Sequence, residues 1–118
     1  MTRTGRPRVY ERMKERMPGF IAAIDHIGTL IRQAGPLDEK TTQLVQIAAS
    51  AAIRSEGALH SHVRRALEAG ASAGEIRHAL LCLTSTIGFP GVAAALTWAD
   101  DVLADTTVPQ PGSQSAPL

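Results

Sequence analysis

The feature that most constrains the fold is the spacing of apolar residues, which recur every three or four positions through most of the chain. Phe20, Ile24, Ile27 and Leu30–Ile31 set this spacing in one segment, and it places side chains on one face of an α-helix. No useful length of sequence alternates apolar and polar residues as a half-buried strand would. The pattern therefore predicts an all-α, single-domain bundle of about five helices.

Residues that favour helix ends separate these helical segments. Capping residues are expected at helix starts, and Gly or Pro at helix ends and breaks. The residues concerned are Gly35-Pro36, Asp38 as an N-cap, Gly70 as a C′ residue, Ser72 with Glu75 as a capping box, Gly88, and Pro90 in the first turn of the last helix. The segment after Asp38 is apolar nearly all round, so we expect it to be the central, buried helix.

The two ends of the chain differ from this helical region. Residues 1–17 carry six Lys or Arg against two Glu, which predicts a basic flexible arm. Residues 106–118 are rich in Pro, Ser and Gln, which predicts a disordered tail. The helical domain is therefore expected to span residues 18–105.

Charge and hydropathy limit the partners that the chain is expected to have. A formal net charge of +1 gives no general attraction to nucleic acid. The apolar runs are far shorter than the ~20 residues of a membrane span, and the first residues do not lead into a signal-peptide core. We therefore expect a cytoplasmic protein that binds neither nucleic acid nor membrane.

The chain has one cysteine, Cys82. A single thiol excludes an internal disulfide, dithiol redox chemistry and any metal site built from several thiolates. Because Leu81 and Leu83 flank Cys82, we expect its thiol to be buried and inert.

The third predicted helix, residues 56–69, holds the densest set of reactive side chains. Helical spacing places His62 on the apolar stripe with Ser55 at one end, and it pairs Glu56 with His60 on the flank. An inward histidine beside a hydroxyl and a carboxylate suits general acid–base catalysis near neutral pH. An inward histidine is also typical of a core or interface residue, and this alternative stays open. His60 and His62 point to different faces of a helix, so no metal site is expected.

Four segments appear in a characteristic order and spacing within residues 37–103. They are residues 37–45 (LDEKTTQLV), 62–72 (HVRRALEAGAS), 75–76 (EI) and 88–90 (GFP). Together they resemble the carboxymuconolactone decarboxylase family, which includes the alkylhydroperoxidase D-like proteins. The resemblance implies an all-α fold and assembly as a homotrimer or homohexamer.

The redox members of that family resemble one another in a glutamate, a Cys-x-x-Cys pair and a following histidine. In this chain the corresponding positions hold Gln43, Ser55, Ala58 and His62. Peroxide reduction of that type needs a thiolate nucleophile and a second, resolving thiol. The resemblance therefore does not extend to thiol peroxidase activity.

The decarboxylating members give the better comparison. Loss of CO₂ from an unsaturated acid needs a proton donor and a dry site but no bound cofactor. The resemblance implies His62 as the acid or base, with Ser55 and Gln43 as neutral hydrogen-bonding partners of a small carboxylated or lactone-type substrate. Arg54, which is adjacent to Ser55, is the nearest basic residue in sequence to that position, and Trp98 is a candidate pocket residue.

Two classes of function therefore stay open. One is a cofactor-free lyase or isomerase in which His62, Ser55, Glu56 and His60 carry the chemistry. The other is a non-catalytic oligomer that kept the fold, and a ligand pocket, without the reaction.

Overall fold

The computed structural model describes residues 8–104, and within that range it contains helices and no strand. The helices follow one another as α1 (Arg8–Arg16), α2 (Pro18–Gln33), α3 (Glu39–Ala52), α4 (Glu56–Glu68), α5 (Ala73–Leu81), α6 (Thr84–Ile87) and α7 (Phe89–Leu103). The all-α prediction is confirmed. The five expected helices correspond to α2, α3, α4, α5 and α7, and the structure adds α1 and the single turn α6.

The predicted helix ends are formed by the residues that were expected to form them. The Asp38 carboxylate accepts a 2.8 Å hydrogen bond from the Thr41 amide at the start of α3. Ser72 and Glu75 form both bonds of the capping box that opens α5. Gly70 has a φ of +100°, which an L-residue rarely adopts, and it ends α4.

The core is formed where α3, α4, α5 and α7 pack against one another. Small side chains such as Ala51, Ala66, Ala95 and Ala99 are fully buried there, and they let the helix backbones approach closely. Larger aliphatic side chains fill the space between the helices, and they are Ile47, Leu59, Val63, Ile76, Leu80 and Val102. This packing holds α3 and α4 side by side, which positions the candidate site.

Helix α3 is central but it is not buried all round, contrary to the expectation from its apolar sequence. One face buries Gln43, Ile47 and Ala51, whereas Val45 on another face is 52% exposed. The difference arises because α4, α5 and α7 all pack on one side of α3. None of these three helices covers Val45.

The basic segment expected to be a flexible arm is helical over residues 8–16. This helix, α1, folds back on α2, and the Tyr10 hydroxyl donates a 2.7 Å hydrogen bond to the Asp25 carboxylate. The difference has a local cause, because a pattern of charged residues can form a helix once a neighbouring helix supports one face. Residues 1–7 of the expected arm, and the tail expected at 106–118, lie outside the described residues.

Two further features bear on the predictions. The Cys82 thiol is exposed, so the expectation of a buried cysteine is wrong. Cys82 is the C-cap residue of α5, where the chain turns and its side chain is no longer directed into the bundle. Within residues 8–104, none of the helices combines the length and the hydropathy needed to cross a membrane.

Candidate functional site

A cleft of about 630 Å³ lies between α2 on one side and α3 and α4 on the other. Helix α3 contributes Gln43 to its lining, and α4 contributes Ala58, Ser61 and His62. These residues reach one wall because α3 and α4 pack side by side in the core. Helix α2 forms the opposite wall, so the cleft exists only because the α1–α2 hairpin folds over this face.

His62 and Gln43 form a hydrogen-bonded pair in the cleft. The distance from His62 Nδ1 to Gln43 Oε1 is 2.8 Å, and Gln43 is only 1% exposed. With the amide oxygen as acceptor, Nδ1 carries the proton and Nε2 carries the lone pair. Because the Gln43 amide is buried, its position is fixed. Gln43 therefore orients the His62 ring and favours the tautomer with the proton on Nδ1, which can accept a proton at Nε2.

The surroundings of His62 favour its neutral form. Burial is the largest cause, followed by the charges of Arg65 and Arg32, and together they lower the pKa of His62 from 6.5 to about 4. Gln43 is neutral and does not offset these effects as a carboxylate would. At neutral pH the imidazole is therefore a base and a hydrogen-bonding group rather than a proton donor.

Arg32 and Arg65 are functional candidates that were not identified from the sequence. Both residues line the cleft, one from α2 and the other from α4. Arg65 follows His62 by three positions on α4, so helical spacing alone could have placed it on the same face. No local signal could have found Arg32, because its approach to His62 depends on how α2 folds over α3 and α4.

Glu56 and His60 lie on the other flank of α4, away from the cleft lining. His60 Nε2 is 3.1 Å from Asp101 Oδ2 on α7 and 3.8 Å from Glu56 Oε2. Two positions along a helix correspond to a rotation of about 200°, which is why His60 faces α7 while His62 faces α2. His60 therefore links two core helices, and the structure does not bring Glu56 or His60 together with His62.

Glu56, His60 and Asp101 are the group whose donor atoms could surround a cation among the described residues. One donor atom from each of the three lies within 4.8 Å of the others. Their hydrogen bond and ion pair already account for this closeness, and the carboxylates are exposed. The absence of a metal stays a prediction.

Arg54 and Trp98 are brought together, but outside the cleft. The Arg54 guanidinium lies 5.9 Å from the centre of the Trp98 ring, a cation–π distance. Arg54 occupies the α3–α4 connection with a φ of +58°, and Trp98 packs against the core from α7.

Ser55 is the N-cap residue of α4 and makes no capping bond through its side chain.

The chain was compared with curated proteins and with models of protein families. No curated protein matches the chain. The model of the carboxymuconolactone decarboxylase family matches residues 18–101, a range that includes α2 to α6 and most of α7. The match therefore covers well over half of the chain and both residues of the His62–Gln43 pair. The chain belongs to the carboxymuconolactone decarboxylase family.

Proposed function

We propose that the chain is a cofactor-free lyase or isomerase that acts on a small carboxylated or lactone-type metabolite in the cleft. The observation that carries the proposal is the His62–Gln43 pair, a neutral imidazole held by a buried amide on the cleft wall. A positioned base of this kind transfers protons without a cofactor. Membership of the family supports the substrate class.

The proton chemistry follows from the tautomer. His62 Nε2 takes a proton from the carbon next to the carbonyl of an unsaturated lactone, and the electrons of that C–H bond move into the π system. The imidazolium then returns the proton to the far carbon, which completes an isomerisation. In a decarboxylation, the C–CO₂ bond supplies the electrons instead, and the imidazolium protonates the far carbon.

The two reactions place different demands on His62. Isomerisation starts from the neutral imidazole, which is the form that the folded protein favours at neutral pH. Decarboxylation starts from the imidazolium, so a substrate carboxylate must first raise the pKa of His62. The electrostatics therefore favour a reaction that begins with proton abstraction.

Gln43 is proposed as the positioning residue of this base. Ser55, Glu56 and His60 stay predicted participants, although none of them lines the cleft. Arg54 and Trp98 stay predicted substrate-binding residues, although neither of them lines the cleft.

Thiol peroxidase activity is not part of the proposal. Ser55 and Ala58 stand where redox relatives carry cysteines, and Cys82 is the one cysteine of the chain. A hydroxyl and a methyl group cannot form or resolve a mixed disulfide.

A homo-oligomer, a trimer or hexamer, is proposed for the working protein. The apolar side chains of α2 are about half exposed, and they are Phe20, Ile24, Ile27, Leu30 and Ile31. Contiguous exposed apolar surface of this kind is typical of an interface. A location in the cytoplasm is proposed with it.

The experiment is a turnover screen with unsaturated lactones and β,γ-unsaturated carboxylic acids, followed by NMR for isomerisation and by CO₂ release for decarboxylation. Wild type and His78→Gln should turn over the same compounds, and His62→Gln should lose activity by about 100-fold or more. His78 is an exposed histidine of α5 outside the cleft. Equal activity of His62→Gln and wild type would remove His62 from the reaction.

A non-catalytic ligand-binding protein is the second candidate. The observation that favours it is the neutral residue at position 43, where redox relatives have a glutamate, because an amide cannot accept a proton. The same screen separates the two candidates: this one predicts binding in the cleft with no turnover of any compound.

A further inference from the structure

We propose that Arg32 and Arg65 together bind a carboxylate of an organic ligand inside the cleft, beside His62. This inference rests on the proposed function, because it assigns the part of the substrate that the cleft recognises. It adds two arginines, which reach the cleft from different helices, to the basic residue Arg54 that the sequence predicts.

The first support is that both guanidiniums lack a carboxylate partner within the described residues. Arg77, by comparison, forms a 3.0 Å ion pair with Asp100. Arg32 and Arg65 are half-buried in the lining of the cleft, yet neither makes an ion pair among residues 8–104. Half-buried, unneutralised guanidiniums in a concave site are the arrangement that binds a planar carboxylate.

The second support is that Arg32 is held in place rather than extended into solvent. Its Nη2 donates a 3.3 Å hydrogen bond to Thr29 Oγ1. Its Nη1 lies over Gly28, where an added Cβ would approach to 3.2 Å. The absence of a side chain at position 28 thus leaves room for the guanidinium against α2.

The cleft also contains carboxylates, but within residues 8–104 none of them forms an ion pair with Arg32 or Arg65. Asp25, Glu39 and Glu68 line the cleft and are exposed. The Asp25 carboxylate accepts a hydrogen bond from the Tyr10 hydroxyl. The charges that act on His62 are those of Arg65 and Arg32, so the potential next to the imidazole is positive.

The wall opposite His62 indicates an organic anion rather than an inorganic one. Ile24, Ile27 and Ile31 of α2 line the cleft together with Arg32. Apolar side chains contribute to binding only when the ligand carries an apolar body. The site therefore fits a small molecule with a carboxylate at one end and a hydrocarbon or lactone body.

The test uses hexanoate as the probe and hexanamide as its uncharged isostere, with binding followed by NMR of the His62 imidazole. Hexanoate should bind and raise the pKa of His62, because a carboxylate between the arginines offsets their charge. Arg32→Gln and Arg65→Gln should each weaken hexanoate binding by about tenfold or more. Arg16→Gln, which changes an exposed arginine of α1, should leave the affinity unchanged.

Equal affinities for hexanoate and hexanamide would overturn the inference, and so would equal losses in Arg16→Gln and Arg65→Gln. Inorganic phosphate binding as tightly as hexanoate would overturn the organic part. Arg65→Lys keeps the charge, so partial recovery of affinity shows that the loss in Arg65→Gln is not a folding defect. If hexanoate binding depends on the arginines but no compound of the turnover screen reacts, this inference is supported and the lyase or isomerase is refuted. If turnover in that screen depends on His62 but shows no preference for a carboxylate, the lyase or isomerase is supported and this inference is refuted.

Discussion

His62 owes its properties to the kind of residue that faces it. A carboxylate at position 43 would add negative charge and favour the imidazolium, whereas the Gln43 amide fixes the tautomer without adding charge. Burial and the two arginines then determine the charge state of the ring, and they keep it neutral. Gln43 leaves these effects uncompensated, so His62 is a neutral imidazole at neutral pH.

This charge state predicts a pH dependence of stability. The pKa of His62 is about 4 in the folded protein, well below its ordinary value of 6.5, which the unfolded chain should restore. Between these values the unfolded chain binds the extra proton, so the free energy of unfolding falls as the pH drops from about 6.5 to about 4. Urea unfolding at several pH values in this range should show this fall in the free energy of unfolding for wild type and a smaller fall for His62→Gln. If the free energy of unfolding of His62→Gln falls with pH as steeply as that of wild type, His62 is not the cause.

The sequence could predict His62 and Gln43 but not the rest of the cleft. The apolar stripe of α4 indicates His62, and the family resemblance indicates Gln43. Arg32 lies thirty positions before His62, and no periodicity connects residues on helices that meet only after folding. Arg54 is adjacent to Ser55 in sequence, but its side chain lies over the Trp98 ring.

Individual helices were predictable where local chemistry determines their ends. Asp38, Gly70 and the Ser72–Glu75 box act within a few residues of themselves, so the sequence contains the whole signal. The environment of a helix was harder to predict. The sequence of α3 indicates apolar surface all round, but which face is covered depends on where α4, α5 and α7 pack.

The end of α4 provides a prediction at this scale. Gly70→Ala should lower the free energy of unfolding by about 1 kcal/mol, because a φ of +100° is strained for any residue with a Cβ. No atom lies within 4 Å of the added Cβ, so the cost comes from the backbone alone. Chemical denaturation measures it.

Gly74→Ala is the matched control for this substitution. Gly74 lies in the first turn of α5, where the added Cβ would make an ordinary 3.7 Å contact with Ser72 Oγ. Alanine favours the helix there, so stability should stay equal or rise slightly. Equal losses at both positions would show that the conformation of Gly70 is not the cause.

At the scale of the whole molecule, the α1–α2 hairpin is the part whose apolar side chains a single chain leaves exposed. Its apolar residues form one wall of the cleft and also remain about half exposed. Covering them with a second copy would bury apolar surface and hold the hairpin over His62. Assembly and the shape of the cleft are therefore expected to depend on the same helix.

Light scattering coupled to size-exclusion chromatography tests the assembly. Wild type should elute as a homo-oligomer, and a Phe20→Ser/Leu30→Ser double variant should shift towards smaller species, because both residues are exposed on α2 and neither lines the cleft. Ile53→Ser is the control, since Ile53 is exposed on the α3–α4 connection instead. Dissociation by Ile53→Ser alone would place the interface elsewhere.

The most direct test of His62 as the base of this cleft is proton exchange in D₂O, measured by NMR on an unsaturated lactone that carries a carboxylate. Deuterium should enter next to the carbonyl at a rate that rises with pH through the pKa of His62 and is level by neutrality. Exchange should fall to the buffer rate in His62→Gln and persist in His78→Gln. Exchange at the buffer rate in wild type, or equal exchange in wild type and His62→Gln, would contradict the claim that His62 is that base.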